Sequence, residues 1–141
     1  MSDAYRLYQQ GLEAIAADHA DEAIAPLERA KALEPGSGSI REALGKTYLQ
    51  LGFFDRAIEE FTVIIDNDPT DAYAQFCLGR AHDRAGDAPA ARHHYRLATL
   101  LDPERRIYTD TLNVFLSRTA ARPEDNSTQP PDSGGPFIFG D

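Results

Sequence analysis

Three sets of residues in this chain keep a single interval. Ala23, Ala57 and Ala91 lie 34 residues apart, as do Gly11, Gly45 and Gly79, and Pro35, Pro69 and Pro103. Independent markers sharing one period define a repeated unit, and a unit of this length holds two helices and their turns. One such unit cannot bury its apolar face alone, so stacked neighbours must share a continuous core. The stretch from Gly45 to Asp71, GKTYLQLGFFDRAIEEFTVIIDNDPTD, is the clearest copy.

Helix-start and helix-stop signals divide the chain accordingly. Ser2 or Asp3 caps a first helix over about 3–17, Asp18 to Asp21 make a turn, and a second helix runs to about Leu33. Pro26 falls inside that second helix, where it removes one backbone hydrogen bond. The segment Pro35-Gly36-Ser37-Gly38 ends it. Ser39 with Glu42 reads as a capping box for a third helix over about 38–51, with Ser37 as the alternative cap. Further helices are expected over about 54–67, 71–85 and 88–101, with Pro89 in a first turn where proline is tolerated. Asp102-Pro103-Glu104 opens a seventh helix, to about Ala121.

The residues that keep the period have mechanical roles. Small residues at Gly11, Gly45 and Gly79 on the first helix of each pair, and at Ala23, Ala57 and Ala91 on the second, let the two helices approach closely. Bulk there costs overpacking strain of ~1–3 kcal/mol. Leu27, Phe61 and Tyr95 share one repeat position, Ala30, Ile64 and Ala98 another, and Leu44 and Leu78 precede the glycine. On these residues the chain resembles a tetratricopeptide repeat (TPR) protein over roughly 4–105. It departs from that pattern where the family's frequent tryptophan is replaced by Leu7, Arg41 and Gln75, and its tyrosine survives only as Tyr48.

The resemblance implies an all-α fold, a right-handed α-solenoid of three helix-turn-helix repeats (about 4–37, 38–71 and 72–105), six helices in all. A seventh, solvating helix over about 104–121 completes a domain of residues 1–121. In that helix Asn113 stands where the glycine should be, Leu112, Phe115 and Leu116 can cover the end of the stack, and Arg105, Arg106 and Arg118 face water. Residues 122–141, RPEDNSTQPPDSGGPFIFGD, are polar and rich in proline and glycine, a composition expected to be disordered in isolation. Their apolar triad, Phe137-Ile138-Phe139, is a candidate docking motif.

Charge and composition exclude several functions. Net charge is −9, with residues 1–121 contributing −6 and 122–141 contributing −3, so the acidity is spread along the chain. Such a surface lacks the basic patch that nucleic acid requires and does not suit anionic membranes. No apolar run reaches the roughly 20 residues of a membrane helix, and the amino end carries no basic segment followed by an apolar core. With the single cysteine Cys77, this makes the cytoplasm the expected compartment.

No catalytic constellation is present, so an enzyme is not expected, and neither a cofactor nor a metal is implied. His93 and His94 are adjacent and point about 100° apart on a helix, too far to chelate as an i, i+4 pair would. Cys77 lies in a core-forming segment, and Gly36-Ser37-Gly38 is a turn without the lysine–hydroxyl pair of a phosphate loop.

In the TPR architecture the first helix of each pair lines a concave groove. The corresponding positions are Tyr5, Tyr8, Leu12 and Ile15 in the first unit, Ser39, Glu42, Lys46 and Leu49 in the second, and Tyr73, Phe76, Arg80 and Asp83 in the third. Aromatic side chains offer large contact area at small entropic cost. Chaperone-binding members of the family hold terminal carboxylates with a Lys, Asn, Asn, Lys, Arg clamp. The matching positions here carry Tyr8, Leu12, Ala43, Tyr73 and Cys77, none of which supplies the cation. The resemblance therefore implies a non-enzymatic adaptor that binds a segment or helix of another protein. Apolar and aromatic contacts through Tyr5, Tyr8, Leu12, Tyr73 and Phe76 would anchor it, with Lys46, Arg80 and Arg84 available to an acidic flank. The alternative is self-association into a homo-oligomer, or autoinhibition, through Phe137 and Phe139 in a neighbour's or the chain's own groove.

Overall fold

The computed structural model describes residues 2–120, and these form seven helices: α1 (Asp3–Ala16), α2 (Ala20–Leu33), α3 (Gly38–Leu51), α4 (Phe54–Asn67), α5 (Ala72–Ala85), α6 (Ala88–Leu101) and α7 (Arg106–Ala120). The expected boundary at 121/122 and the Phe137-Ile138-Phe139 motif lie outside the described residues. Each helix packs on the one that follows it, with lesser contacts from α1 to α3 and from α3 to α5. The result is the expected all-α repeat fold.

The glycine position governs how the two helices of a unit meet. A Cβ on Gly11 would fall 2.6 Å from Leu27, on Gly45 2.7 Å from Phe61, and on Gly79 2.5 Å from Tyr95. The three partners are nearly or fully buried, so each large side chain of the second helix seats directly on a glycine of the first. Asn113, at the same position of α7, is exposed because no second helix among the described residues packs on it.

Turn chemistry also recurs. Asp18, Gly52 and Gly86 hold one repeat position with φ of 65°, 88° and 91°. The left-handed region suits glycine, and aspartate is among the few other residues that enter it. Ser2, Ser37 and Asp71 cap α1, α3 and α5 by accepting from the backbone N–H three residues on. Ser37, not Ser39, is therefore the cap of α3, because the helix already begins at Gly38. The seventh helix starts two residues later than the Asp102-Pro103-Glu104 signal suggests. Pro103 and Glu104 form a turn, as Pro35-Gly36 and Pro69-Thr70 do before α3 and α5, and Arg105 occupies the position that Ser37 and Asp71 use for capping.

The positions where the family prefers tryptophan are used for polar cross-links. Arg41 Nε donates to the Pro35 carbonyl at 2.9 Å, and Gln75 Nε2 donates to the Pro69 carbonyl at 3.1 Å. Each then reaches the second helix of its own unit, Arg41 to Glu60 at 2.9 Å and Gln75 to His94 at 2.8 Å. In the first unit the same two positions hold Leu7 and Pro26, both buried.

Candidate functional site: a cationic, aromatic cleft between α3 and α5

Lys46 and Leu49 from α3 and Tyr73, Phe76, Arg80 and Arg84 from α5 line one cleft of about 370 Å³, with Cys77 at its base. Helix periodicity explains the set: residues three and four apart share a face, so 46 with 49 and 73, 76, 80 with 84 project to the same side. Capping by Ser37 and Asp71 sets the starting register of the two helices.

Aromatic faces and cations alternate in the cleft. Lys46 Nζ is 5.6 Å from the centre of the Tyr73 ring, and the Arg80 guanidinium is 6.0 Å from that of Phe76. The Arg84 guanidinium stands 5.2 Å from the ring of Phe54, at the start of α4. Among the described residues none of these three cations forms an ion pair. Burial, offset in part by the neighbouring Tyr73 hydroxyl, pushes the Cys77 thiol up to about 11. Burial and then the Cys77 side chain raise Tyr73 above the usual tyrosine range. Both groups therefore stay protonated near neutrality, and the thiol is a buried neutral side chain without the activation a nucleophile needs.

Six of the residues singled out from the sequence, Lys46, Leu49, Tyr73, Phe76, Arg80 and Arg84, thus converge. Phe76, however, is only 6% exposed: its ring is 4.8 Å from Tyr108 and 6.0 Å from Tyr95, so it chiefly joins α5 to α6 and α7. Tyr5, Tyr8 and Leu12 lie on α1 outside this cleft. Tyr5 is 48% exposed, while Tyr8 and Leu12 are half-buried against the core. Asp83 is engaged, accepting from Arg118 at 2.7 Å and from the Tyr95 hydroxyl at 3.2 Å, so Arg118 is tied down as well as exposed. Phe137 and Phe139 lie outside the described residues.

Two features escaped the sequence reading. Tyr108, 2% exposed, is the main plug between α7 and Phe76, and its position four residues before Leu112 was the available signal. The histidines also cluster across helices: His82 on α5 stacks on His94 of α6 at 5.5 Å, with His93 5.0 Å from His94. Burial, then His93 and His82, push His94 down to about 4. Among the described residues no group of three or more His, Cys, Asp or Glu side chains is placed to hold a metal ion. No described helix is long and apolar enough to cross a membrane.

Comparison with known proteins agrees with this architecture. The family model for the tetratricopeptide repeat matches residues 8–72 and 42–106. A TPR repeat-containing protein from Pseudomonas aeruginosa is 31% identical over 94 residues, 65% of this chain and 90% of that protein. Among solved structures, the first TPR domain of Spaghetti (RPAP3), bound to an HSP90 peptide, is similar with a TM-score of 0.78 at 18% identity, over 84% of this chain and 94% of that one. MamA from Desulfovibrio magneticus RS-1 gives 0.79 at 22% identity, over 89% of this chain and 68% of that one. YrrB, described as a TPR protein with an unusual peptide-binding site, gives 0.75 at 20% identity over 79% and 57% of the respective chains. A fold of this kind suggests a protein-interaction module. With its period, its glycine-seated helix pairs and these matches, the chain belongs to the tetratricopeptide repeat family.

Proposed function

We propose that this chain is a non-enzymatic adaptor that binds a segment of another protein in the cleft between α3 and α5, and that the segment is acidic with aromatic or large apolar anchors. The observation that carries this reading is the arrangement of Lys46, Arg80 and Arg84, three cations without ion-pair partners among the described residues, over the rings of Tyr73, Phe76 and Phe54. Apolar anchors gain from the ring faces and Leu49, and acidic flanks gain from cations already held over low-dielectric walls. Tyr5, Tyr8 and Leu12 on α1, outside this cleft, would add apolar contact area for a longer ligand. The Lys, Asn, Asn, Lys, Arg clamp for terminal carboxylates is not carried by the sequence, so an internal segment is as acceptable as a terminal one. That two of the similar structures are described with peptides or peptide-binding sites supports a peptide as the class of ligand.

The test is the double variant Lys46→Ala/Arg80→Ala. Both side chains are exposed, so the helices should be unaffected. Partner capture from the native cell, quantified by mass spectrometry, is expected to fall about tenfold or more, equivalent to about 1.4 kcal/mol. Capture equal to wild type would remove the cleft from consideration. Phe76→Ala is a poor probe, because emptying a buried aromatic site costs about 3–5 kcal/mol of stability and would disturb α7.

A further inference from the structure

We infer that the cleft between α3 and α5 is occupied intramolecularly by the chain's own segment Phe137-Ile138-Phe139-Gly140-Asp141, which competes there with outside partners; this rests on the cleft being the ligand site. Three observations converge on that occupant. The first is position. Arg118, in the last turn of α7, donates to both carboxylate oxygens of Asp83 at 2.7 and 2.9 Å. Asp83 adjoins Arg84 and lies one turn from Arg80, both of which line the cleft. The end of α7, two residues after Arg118, is therefore tied to α5 at a residue one helical turn from Arg80 of the cleft.

The second is reach. Sixteen residues lie between Ala120 and Phe137. A polar chain of that length spans roughly 20–25 Å as a coil and more when extended, enough to cover the few turns of helix that separate the end of α7 from the cleft. Its effective concentration at a site within reach is on the order of millimolar.

The third is chemistry. Residues 122–141 carry one arginine and four acidic residues, a net −3, and Asp141 follows the Phe-Ile-Phe triad by two positions. An apolar triad with a nearby carboxylate complements a ring-lined cleft rimmed by Lys46, Arg80 and Arg84. A second hollow of about 320 Å³ lies beside α7, where Ile107 is 53% and Val114 65% exposed. It is the weaker host, because Asp83 and Asp110 line it and its one cation, Arg118, is already bound to Asp83.

The experiment uses the full chain and a fluorescein-labelled peptide of residues 134–141, GGPFIFGD, read by anisotropy. Wild type is expected to bind it weakly, because the tethered copy competes. Phe137→Ala/Phe139→Ala is expected to bind it about tenfold more tightly, and adding Lys46→Ala/Arg80→Ala to that variant should abolish the gain. Equal affinity of wild type and Phe137→Ala/Phe139→Ala overturns the proposal. So does binding that survives Lys46→Ala/Arg80→Ala but is lost in Ile107→Ser/Val114→Ser, which would place the segment beside α7. A wild-type mass by light scattering that rises with concentration also overturns it, since the segment would then be exchanged between copies. Partner capture that still depends on Lys46 and Arg80 while the peptide fails to bind would leave the cleft as a ligand site and reject only its internal occupant.

Discussion

Arg41 and Glu60 form the charged version of a pair that the next repeat builds without charge. Glu60, 3% exposed, accepts from Arg41 at 2.9 Å and from Lys31 at 2.7 Å. One period later, Gln75 and His94 meet at 2.8 Å across the same two positions. In both cases the first partner also bonds a proline carbonyl of the preceding turn, so the pair ties a unit internally and to its predecessor. In the first unit the same two positions are apolar, Leu7 and Pro26.

Removing the acceptor should be costly. Glu60→Ala leaves Arg41 without its carboxylate and Lys31 with Glu28 alone, and a loss of about 2–4 kcal/mol in urea unfolding is expected. The exchange Arg41→Gln with Glu60→His installs the pair of the third unit and should recover more than half of that loss. If the double variant is no better than Glu60→Ala, the two pairs are not structurally equivalent.

The seat of Tyr95 on Gly79 makes a second prediction. Glycine to alanine inside a helix ordinarily gains about 1 kcal/mol. Here the added Cβ would stand 2.5 Å from the Tyr95 ring, which Asp83 holds by its hydroxyl and Phe115 meets edge-on at 5.4 Å. The ring has no room to give, so Gly79→Ala is expected to destabilise by about 1–2 kcal/mol net. A rise in thermal midpoint for this variant would show that α5 and α6 separate easily.

His94 makes stability depend on pH. Its folded pKa, about 4, lies below the ordinary histidine value of 6.5, so the unfolded chain binds the proton first as pH falls. The contribution is full above 6.5 and is lost as pH drops from 6.5 toward 4, by on the order of 1–2 kcal/mol after allowing for solvent at this half-buried ring. Thermal midpoints at pH 7 and pH 5 should show this slope in wild type, and His94→Gln should flatten it. An identical slope in both would assign the effect to other groups.

Arg105 stands where serine and aspartate cap the equivalent helices, and a cation there also opposes the helix dipole. Tyr108 N–H now donates to the Arg105 carbonyl at 3.0 Å. Arg105→Asp supplies a carboxylate acceptor to the first turn of α7 and is expected to stabilise by about 0.5–1.5 kcal/mol despite losing the guanidinium 5.7 Å from the Tyr108 ring. Slower amide exchange in the first turn of α7 would report it directly, and unchanged exchange would argue against Arg105 as the capping position.

The chain's own sequence determined the unit, its seven helices and their pairing, because these depend on residues a few positions apart and on a period that repeats them. The resemblance to the family also offered Lys46, Tyr73, Phe76 and Arg80, with Tyr5, Tyr8 and Leu12, as candidate groove residues, since the positions of one repeat carry over to the next. Only the tertiary structure decided which of these stay accessible. Phe76 and Tyr73 follow the same helical face, yet Phe76 is covered by Tyr108 from a helix some thirty residues on, while Tyr73 remains at the cleft. The pairs Arg41–Glu60 and Gln75–His94 and the stacked His82 and His94 were likewise invisible in a one-dimensional pattern. Periodicity says which way a side chain points along its own helix. What it meets there is set by the register and separation of the neighbouring helix, and that follows from seating Leu27, Phe61 and Tyr95 on their glycines.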